Sequence, residues 1–418
     1  MVATGRSLSA CRRAAVVLAA HLVAAAAFAT QGAAATVVVD TLGTGDFTAI
    51  QPALDAASGG DTVLVLPGTY TGADNRNLSF GTKNLVLRGR DGAAATIIDC
   101  WTLTGGTRGI NFSGGGQDST CVVDGFTIRR GRLVAAGAPW AGIRCENASP
   151  KLVGLVVEDN TNVASYGGGL HCNNFASPIV RDCVFEGNHA QAGGGIYCNT
   201  SAAPIVRGVS LVDNHAVTSG GGAYCGMDSD AMFVDVVFDG NSSGHKGGGF
   251  FCFRSSPAVA EAVFFENTAG DSGGAFYIQR DSYPMITNCT MSGNSAPSGG
   301  AICVSEPCDP TVMQSVVAFT GPGSSTIRCG GGNPTITRCV VFGNAPGDSL
   351  CGDHHDNAFL DPLFCNVLTG DLTLASNSPC LPGSPGNPSD ALVGALGQGC
   401  VNSPVEAATW GRIKCLFR

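Results

Sequence analysis

The chain has 418 residues, room for one large domain or two ordinary ones, with 60 glycines and 19 cysteines, far above ordinary usage. Only 13% of residues are charged and the net charge is −9. This argues against a nucleic-acid partner, because neutralising phosphates needs a basic face.

Residues 1–35 read as a secretory signal peptide. Arg6, Arg12 and Arg13 precede the run "AAVVLAAHLVAAAAF", and small residues offer cleavage after Ala29 or Ala35. The run has the length of a signal core and is short for a membrane span. Leu8-Ser9-Ala10-Cys11 mimics a lipoprotein box but precedes the apolar core instead of following it. No other segment is apolar for long enough to span a membrane, so none is expected in the mature chain. Removing the signal also removes Cys11, leaving 18 of the 19 cysteines; export permits disulfides.

The segment "DFTAIQPALDAASGGDTVLVLPGTY" (46–70) predicts a short helix from about Thr48 to Ala57, then the strand "TVLVLP". Ile50, Ala53, Leu54 and Ala57 share one helix face, and "SGG" ends it. Such a helix would lid the first exposed edge of a stacked sheet.

A repeat follows. "GGGLHCN" from Gly167 recurs as "GGGIYCN" from Gly193, "GGGAYCG" from Gly220, "GGGFFCF" from Gly247 and "GGAFYIQ" from Gly273. Cys145, Cys172, Cys198, Cys225, Cys252, Cys303 and Cys329 are separated by 27, 26, 27, 27, 51 and 26 residues, with Ile278 filling the missing slot. Asn160, Asn188, Asn214, Asn241, Asn267 and Asn294 keep the same period, with Asn344 after a gap. Three residues before them lie Val157, Phe185, Leu211, Phe238, Phe264 and Met291. A fixed period of this length means a stacked array. No period holds an amphipathic helix, and each is too short for a propeller blade. The predicted fold is all-β: a right-handed parallel β-helix of about ten coils with a short N-terminal capping helix. Asparagines then stack as a hydrogen-bonded ladder at a bend.

These motifs carry two resemblances. "GDFTAIQPALDAA" and "GDTVLVLPGTY" resemble the N-terminal cap of pectinesterases and other pectin-lyase-like β-helix proteins. Residues 155–345 resemble polymorphic outer membrane protein repeats, in "GGAI" (299–302), "GGAF" (273–276), "FEGN" (185–188), "FDGN" (238–241) and "FFEN" (264–267). The second resemblance implies a right-handed parallel β-helix at a bacterial surface, often serving adhesion. No segment of these 418 residues is expected to form the C-terminal translocator barrel of that family, so export or anchoring in that way is not expected from the resemblance. "DPLFCNVLTGDLTLASNSPC" (361–380) resembles the endings of many secreted β-helix proteins. The expected organisation is a signal peptide (1–35), an N-terminal cap (36–84), repeat coils (85–345), a last coil and C-terminal cap (346–400), and a tail (401–418). Disulfides are expected first among Cys351, Cys365, Cys380 and Cys400. The tail "ATWGRIKCLFR" suits an end strand, a short helix or a sorting tag.

The cysteine row has two readings. Stacked strands lie about 4.8 Å apart, whereas a relaxed disulfide holds its Cβ atoms about 3.8 Å apart. In-register pairs would be strained, so small buried thiols are favoured over a zipper. A zinc site is disfavoured by the absence of CxxC and by the one-sided row.

Chemistry is sparse. The pectinesterase "DFIFG"-like and "LGRPW"-like segments are missing from this sequence. A pectate-lyase-like site would need clustered Asp/Glu to hold calcium beside an Arg or Lys base; Glu158, Asp159, Glu186, Asp213, Asp239 and Glu266 are scattered, and a solvated face is favoured over calcium or catalysis there. Arg181 and Arg207 stack in adjacent coils as one weak pair. "CGDHHDNAFLD" (351–361) is the densest polar cluster: Cys351, Asp353, His354, His355, Asp356 and Asp361 could supply metal ligands, but adjacent histidines in a strand point to opposite sides and a polar capping loop would look the same. His189 and His215 each follow a ladder Asn as turn residues. No cofactor motif appears.

One row merits a functional expectation. If the cysteines point inward, strand alternation turns the preceding residue outward: Arg144, His171, Tyr197, Tyr224, Phe251, Tyr277, Ile302 and Arg328. His171, Tyr197, Tyr224, Phe251 and Tyr277 would form a ligand-binding strip for sugar faces or for an apolar groove on a partner protein; ring–ring packing alone also explains them. The glycines read as turn and close-packing residues of one coil, and before the strip they would also keep its approach open. The expected function is a secreted or cell-surface, non-catalytic protein for adhesion or polysaccharide binding, its partner a polysaccharide or a surface protein. The alternatives are a polysaccharide lyase or glycoside hydrolase of the pectin-lyase-like superfamily, and a structural envelope protein.

Overall fold

The computed structural model describes residues 34–103, 106–133 and 141–401. The expected signal peptide, apart from its last two residues, and the C-terminal tail beyond Val401 lie outside them. From Thr36 the chain winds as a parallel β-solenoid of about 14 turns, more than the ten expected. The difference lies at the ends: one sheet has ten strands, while turns at both ends pair only in a larger, 22-stranded sheet.

One turn illustrates the local logic. Ile179–Arg181 and Val184–Glu186 belong to the large sheet (sheet A), His189–Ala192 to a five-stranded sheet (sheet C), and Ile196–Cys198 to the ten-stranded sheet (sheet B). Three bends within it need a left-handed backbone: Asp182 (φ 53°), Gly187 (φ 60°) and Gly193 (φ 63°). Gly, Asp and Asn tolerate that region best, so they punctuate the repeat. The acidic residues before the asparagines divide accordingly. Asp159, Asp213 and Glu266 hold this bend in alternate coils with Gly187, Gly240 and Gly293, whereas Glu158, Glu186 and Asp239 end strands.

Stacking in register builds the core from like residues. Val157, Phe185, Leu211, Phe238, Phe264 and Met291 succeed one another in the interior of sheet A. The rings of Phe238 and Phe264 lie 4.3 Å apart and nearly parallel. Phe250 and Phe276 meet them from the interior of sheet B. Each buried phenylalanine contributes about 2–3 kcal/mol of apolar burial.

The asparagine ladder forms as expected. Asn188 Nδ2 donates to Asn214 Oδ1 at 3.0 Å and to the Val157 carbonyl at 2.8 Å, and the Asn188 backbone N–H also donates to Asn214 Oδ1. The pattern repeats from Asn160 through Asn267 onto Asn294. All six residues are buried.

The triple glycine has the turn and close-packing roles expected of it. In the coil of Tyr224, Gly220 takes φ +69°. A Cβ on Gly221 would lie 2.3 Å from the Ser242 carbonyl oxygen, and one on Gly222 would lie 2.7 Å from the Phe238 ring. The glycines are required by contact between coils and with the core, not by access for a ligand.

At the start, α1 (Ile50–Ala56) buries Ile50, Ala53 and Leu54. Asn75 Oδ1 accepts from the Ile50 N–H at 2.8 Å, and Lys83 Nζ donates to the Ala57 carbonyl at 2.9 Å. The cation sits at the C-terminal end of the helix, where its partial negative charge favours it.

At the other end, Asp353–His355 extends the stack by pairing with Thr335–Thr337. Residues 361–400 then form a strap, not a cap. Phe364, Leu372, Leu374 and Val393 pack on Val263, Val316, Ala318 and Val340, on the outer face of sheet A. Gly394 N donates to the Gln314 carbonyl, and Asn288 Nδ2 to the Leu392 carbonyl. Disulfides join Cys365 to Cys400 and Cys329 to Cys351. Cys380, expected in a bridge, is a buried free thiol, and Cys329, expected as one, is bridged.

Candidate functional site

The site grows out of one strand position on sheet B. Tyr197 pairs in register with His171 below and Tyr224 above, and the row continues through Phe251 and Tyr277. One residue further along the strands, Cys145, Cys172, Cys198, Cys225 and Cys252 form the inner row as buried free thiols. Burial holds the thiols of Cys172, Cys225 and Cys252 well above their ordinary pKa.

Beyond Tyr277 the expected rows are corrected. Cys303, not Ile302, follows Tyr277 in the outer row, and Val304, not Cys303, follows Ile278 in the inner row. Arg328 and Cys329 then continue the outer and inner rows. In "ICV" (302–304) all three residues are apolar, so alternation cannot choose the face and backbone pairing decides it.

The rings stack face to face. Centroids are 5.3 Å apart for His171–Tyr197, 4.8 Å for Tyr197–Tyr224, 5.0 Å for Tyr224–Phe251 and 5.6 Å for Phe251–Tyr277, with interplanar angles of 3–18°. Each ring covers its neighbour's face. His171 is 3% exposed, Tyr197 6%, Phe251 5% and Tyr277 6%. The row is outward but nearly buried: it offers solvent ring edges and hydroxyls, not a strip of free faces.

Tyr166 is a residue that sequence reasoning missed. It ends Thr161–Tyr166 on sheet C, stacks on Tyr197 at 4.9 Å and 9°, and stays 45% exposed. Its signal was visible, an aromatic residue directly before "GGG", but it does not recur in the other coils. Phe253 lies two residues beyond Phe251 on the same outer face, under the Arg280 guanidinium at 5.7 Å. Lys246 Nζ lies 4.7 Å from the Tyr277 ring centre.

Tyr166, Tyr197, Tyr224, Phe253, Met227, Asn199 and Gln279 are among the residues that line an open groove of about 430 Å³ along this face. Beside the Tyr224 ring stands Gly226, where a Cβ would meet that ring at 2.7 Å. Burial raises the Tyr224 hydroxyl to about 12 and the Tyr197 hydroxyl further, with the neighbouring tyrosines adding to the shift. Both therefore stay protonated, able to donate and to accept. Burial, then the charge of Arg144, pushes His171 down to about 3, so it is neutral.

The other candidate residues do not join the groove. Arg181 and Arg207 pair on the outer face of sheet A. His189 and His215 meet edge to face at 4.6 Å on sheet C, and His215 Nδ1 bonds Ser242 Oγ at 2.9 Å. His354 and His355 are exposed. Among the described residues, no three His, Cys, Asp or Glu side chains are arranged to hold a metal ion. Among the described residues no helix is long and apolar enough to cross a membrane.

Three segments, residues 182–199, 235–252 and 288–305, match the Chlamydia polymorphic membrane protein (Chlamydia_PMP) repeat. Each runs from a left-handed bend of sheet A through the ladder asparagine and the glycines to the strand of sheet B. No curated protein matches the chain. Among solved structures, a pectin methylesterase from carrot is similar at 12% identity over 76% of this chain and 87% of that one, with a TM-score of 0.34. Coil geometry and matched segments together make the chain a parallel β-solenoid that carries repeats similar to those of the Chlamydia polymorphic membrane proteins.

Proposed function

We propose that this is a bacterial surface protein that binds polysaccharide without turnover, along the outer face of sheet B. The observation that carries the reading is the continuous groove from Tyr166 to Gln279, with ring edges, tyrosine hydroxyls and amides set along the solenoid axis. Apolar ring edges beside hydrogen-bonding groups suit the mixed C–H and O–H surface of a sugar chain. The surface location rests on the matched repeats.

The test is a glycan array probed with the full chain, with a parallel assay for new reducing ends or unsaturated products. Retention of a glycan without product supports the reading. Turnover of a retained glycan replaces it with the lyase or hydrolase reading. No retention of any glycan removes it and leaves the structural reading.

A further inference from the structure

The lining of the groove has a property that its position alone does not require. It carries no charged side chain, in a chain with 55 acidic and basic residues, 32 plus 23. Its polar groups are the hydroxyls of Tyr166, Tyr197, Tyr224, Thr218 and Ser219 and the amides of Asn199 and Gln279. Among the described residues, the hydroxyls of Tyr197 and Tyr224 make no hydrogen bond to protein, and neither is a sealed, unpaired polar atom. They face the groove with their bonding capacity unspent. A hydroxyl or amide both donates and accepts, and so do the hydroxyls and N-acetyl groups of an uncharged sugar. A carboxylate or sulfate only accepts, and its desolvation calls for a cation or an array of donors.

Two cations beside the ring row are turned to rings. Lys246 lies over Tyr277 and Arg280 over Phe253. At the other end of the row, Arg144 is paired with Glu146 at 2.9 Å. The groove is also long. Tyr166 and Gln279 are four coils apart, about 19 Å at about 4.8 Å per coil, which suits an oligosaccharide segment more than one sugar. Tyr166 offers a half-exposed ring at one end, and among the described residues no second ring covers its other face.

We infer that the groove takes an uncharged polysaccharide, a chain of neutral or N-acetylated sugars, in preference to an acidic one. This inference rests on the binding reading above and narrows its ligand class. The test uses the full chain in calorimetric titrations with cellohexaose, xylohexaose and chitohexaose on one side and polygalacturonate and alginate on the other. The expected result is binding to at least one neutral hexamer, with affinity changing less than about twofold between about 0.05 and 0.5 M salt. Tyr197→Phe and Tyr224→Phe, which keep the stack and remove one hydroxyl each, should weaken it about tenfold. Lys246→Gln and Arg280→Gln should leave it within about twofold. Binding to the acidic chains alone, lost with salt or with those two cations, overturns this inference and leaves the proposed function standing. Binding to none of the five overturns this inference, and retention of no glycan on the array overturns both.

Discussion

Two ladders run along the solenoid, the asparagines at the bend before sheet C and the rings on the outer face of sheet B. Both arise because a constant coil length puts like residues on like residues. They differ in what stacking leaves over. Each inner asparagine uses its amide completely: Asn214 Oδ1 accepts two bonds from Asn188, and its Nδ2 donates to Phe185 and Asn241. The rings satisfy one another only through their faces, and their edges and hydroxyls remain. A repeated side chain is therefore no evidence of function until its remaining capacity is known. The asparagine ladder holds the bend; the ring ladder holds the sheet and still has groups to offer.

The comparison can be broken at the asparagines first. Asn214→Leu leaves two donors of Asn188 and the Phe185 carbonyl without their partner inside the core. At about 1–3 kcal/mol for each buried unpaired group, urea unfolding should show a loss of about 4 kcal/mol or more, with glycan binding falling only as the fold is lost. Gly220→Ala should cost about 2–3 kcal/mol in the same measurement. It forces a side chain into the left-handed region, and its Cβ would lie 2.5 Å from the Ala223 carbonyl oxygen.

His171 tests how far burial of the ring ladder matters. Its pKa in the folded chain is pushed down to about 3, against about 6.5 when unfolded. The unfolded state then binds more protons, so stability is full above about pH 6.5 and is lost as pH falls toward 3. At pH 5 the loss is about 2 kcal/mol relative to pH 8. The check is the difference between wild type and His171→Gln across that range; an equal slope in both proteins would show that the imidazole is not the cause. Tyr224→Phe sharpens the contrast with the smallest stability effect, under about 0.5 kcal/mol, because no described protein group bonds the hydroxyl. Its expected effect is on glycan affinity alone, about tenfold in a titration.

Much of the fold was legible in the chain itself. The period of 26–27 residues, the asparagine column, the sheet A core column and the helix at Ile50–Ala56 all follow from spacing, because a solenoid contacts only its neighbours and each coil repeats the same local problem. The outer row was legible from His171 to Tyr277 for the same reason. It failed at Ile302, where three successive apolar residues removed the alternation, and a slip of one residue reverses the face.

Sequence by itself determined the solenoid, its period and which residues stack, since those depend on repeat length and strand alternation. Only the tertiary structure decided what the stacks leave free. The rings lost their faces because the coil spacing matches ring-stacking distance. Tyr166 entered the site from a different sheet, through a contact no period encodes. Residues 361–400 folded back along sheet A, because the outward-facing apolar residues there, Val263, Val316 and Val340, offered a surface for the strap to bury.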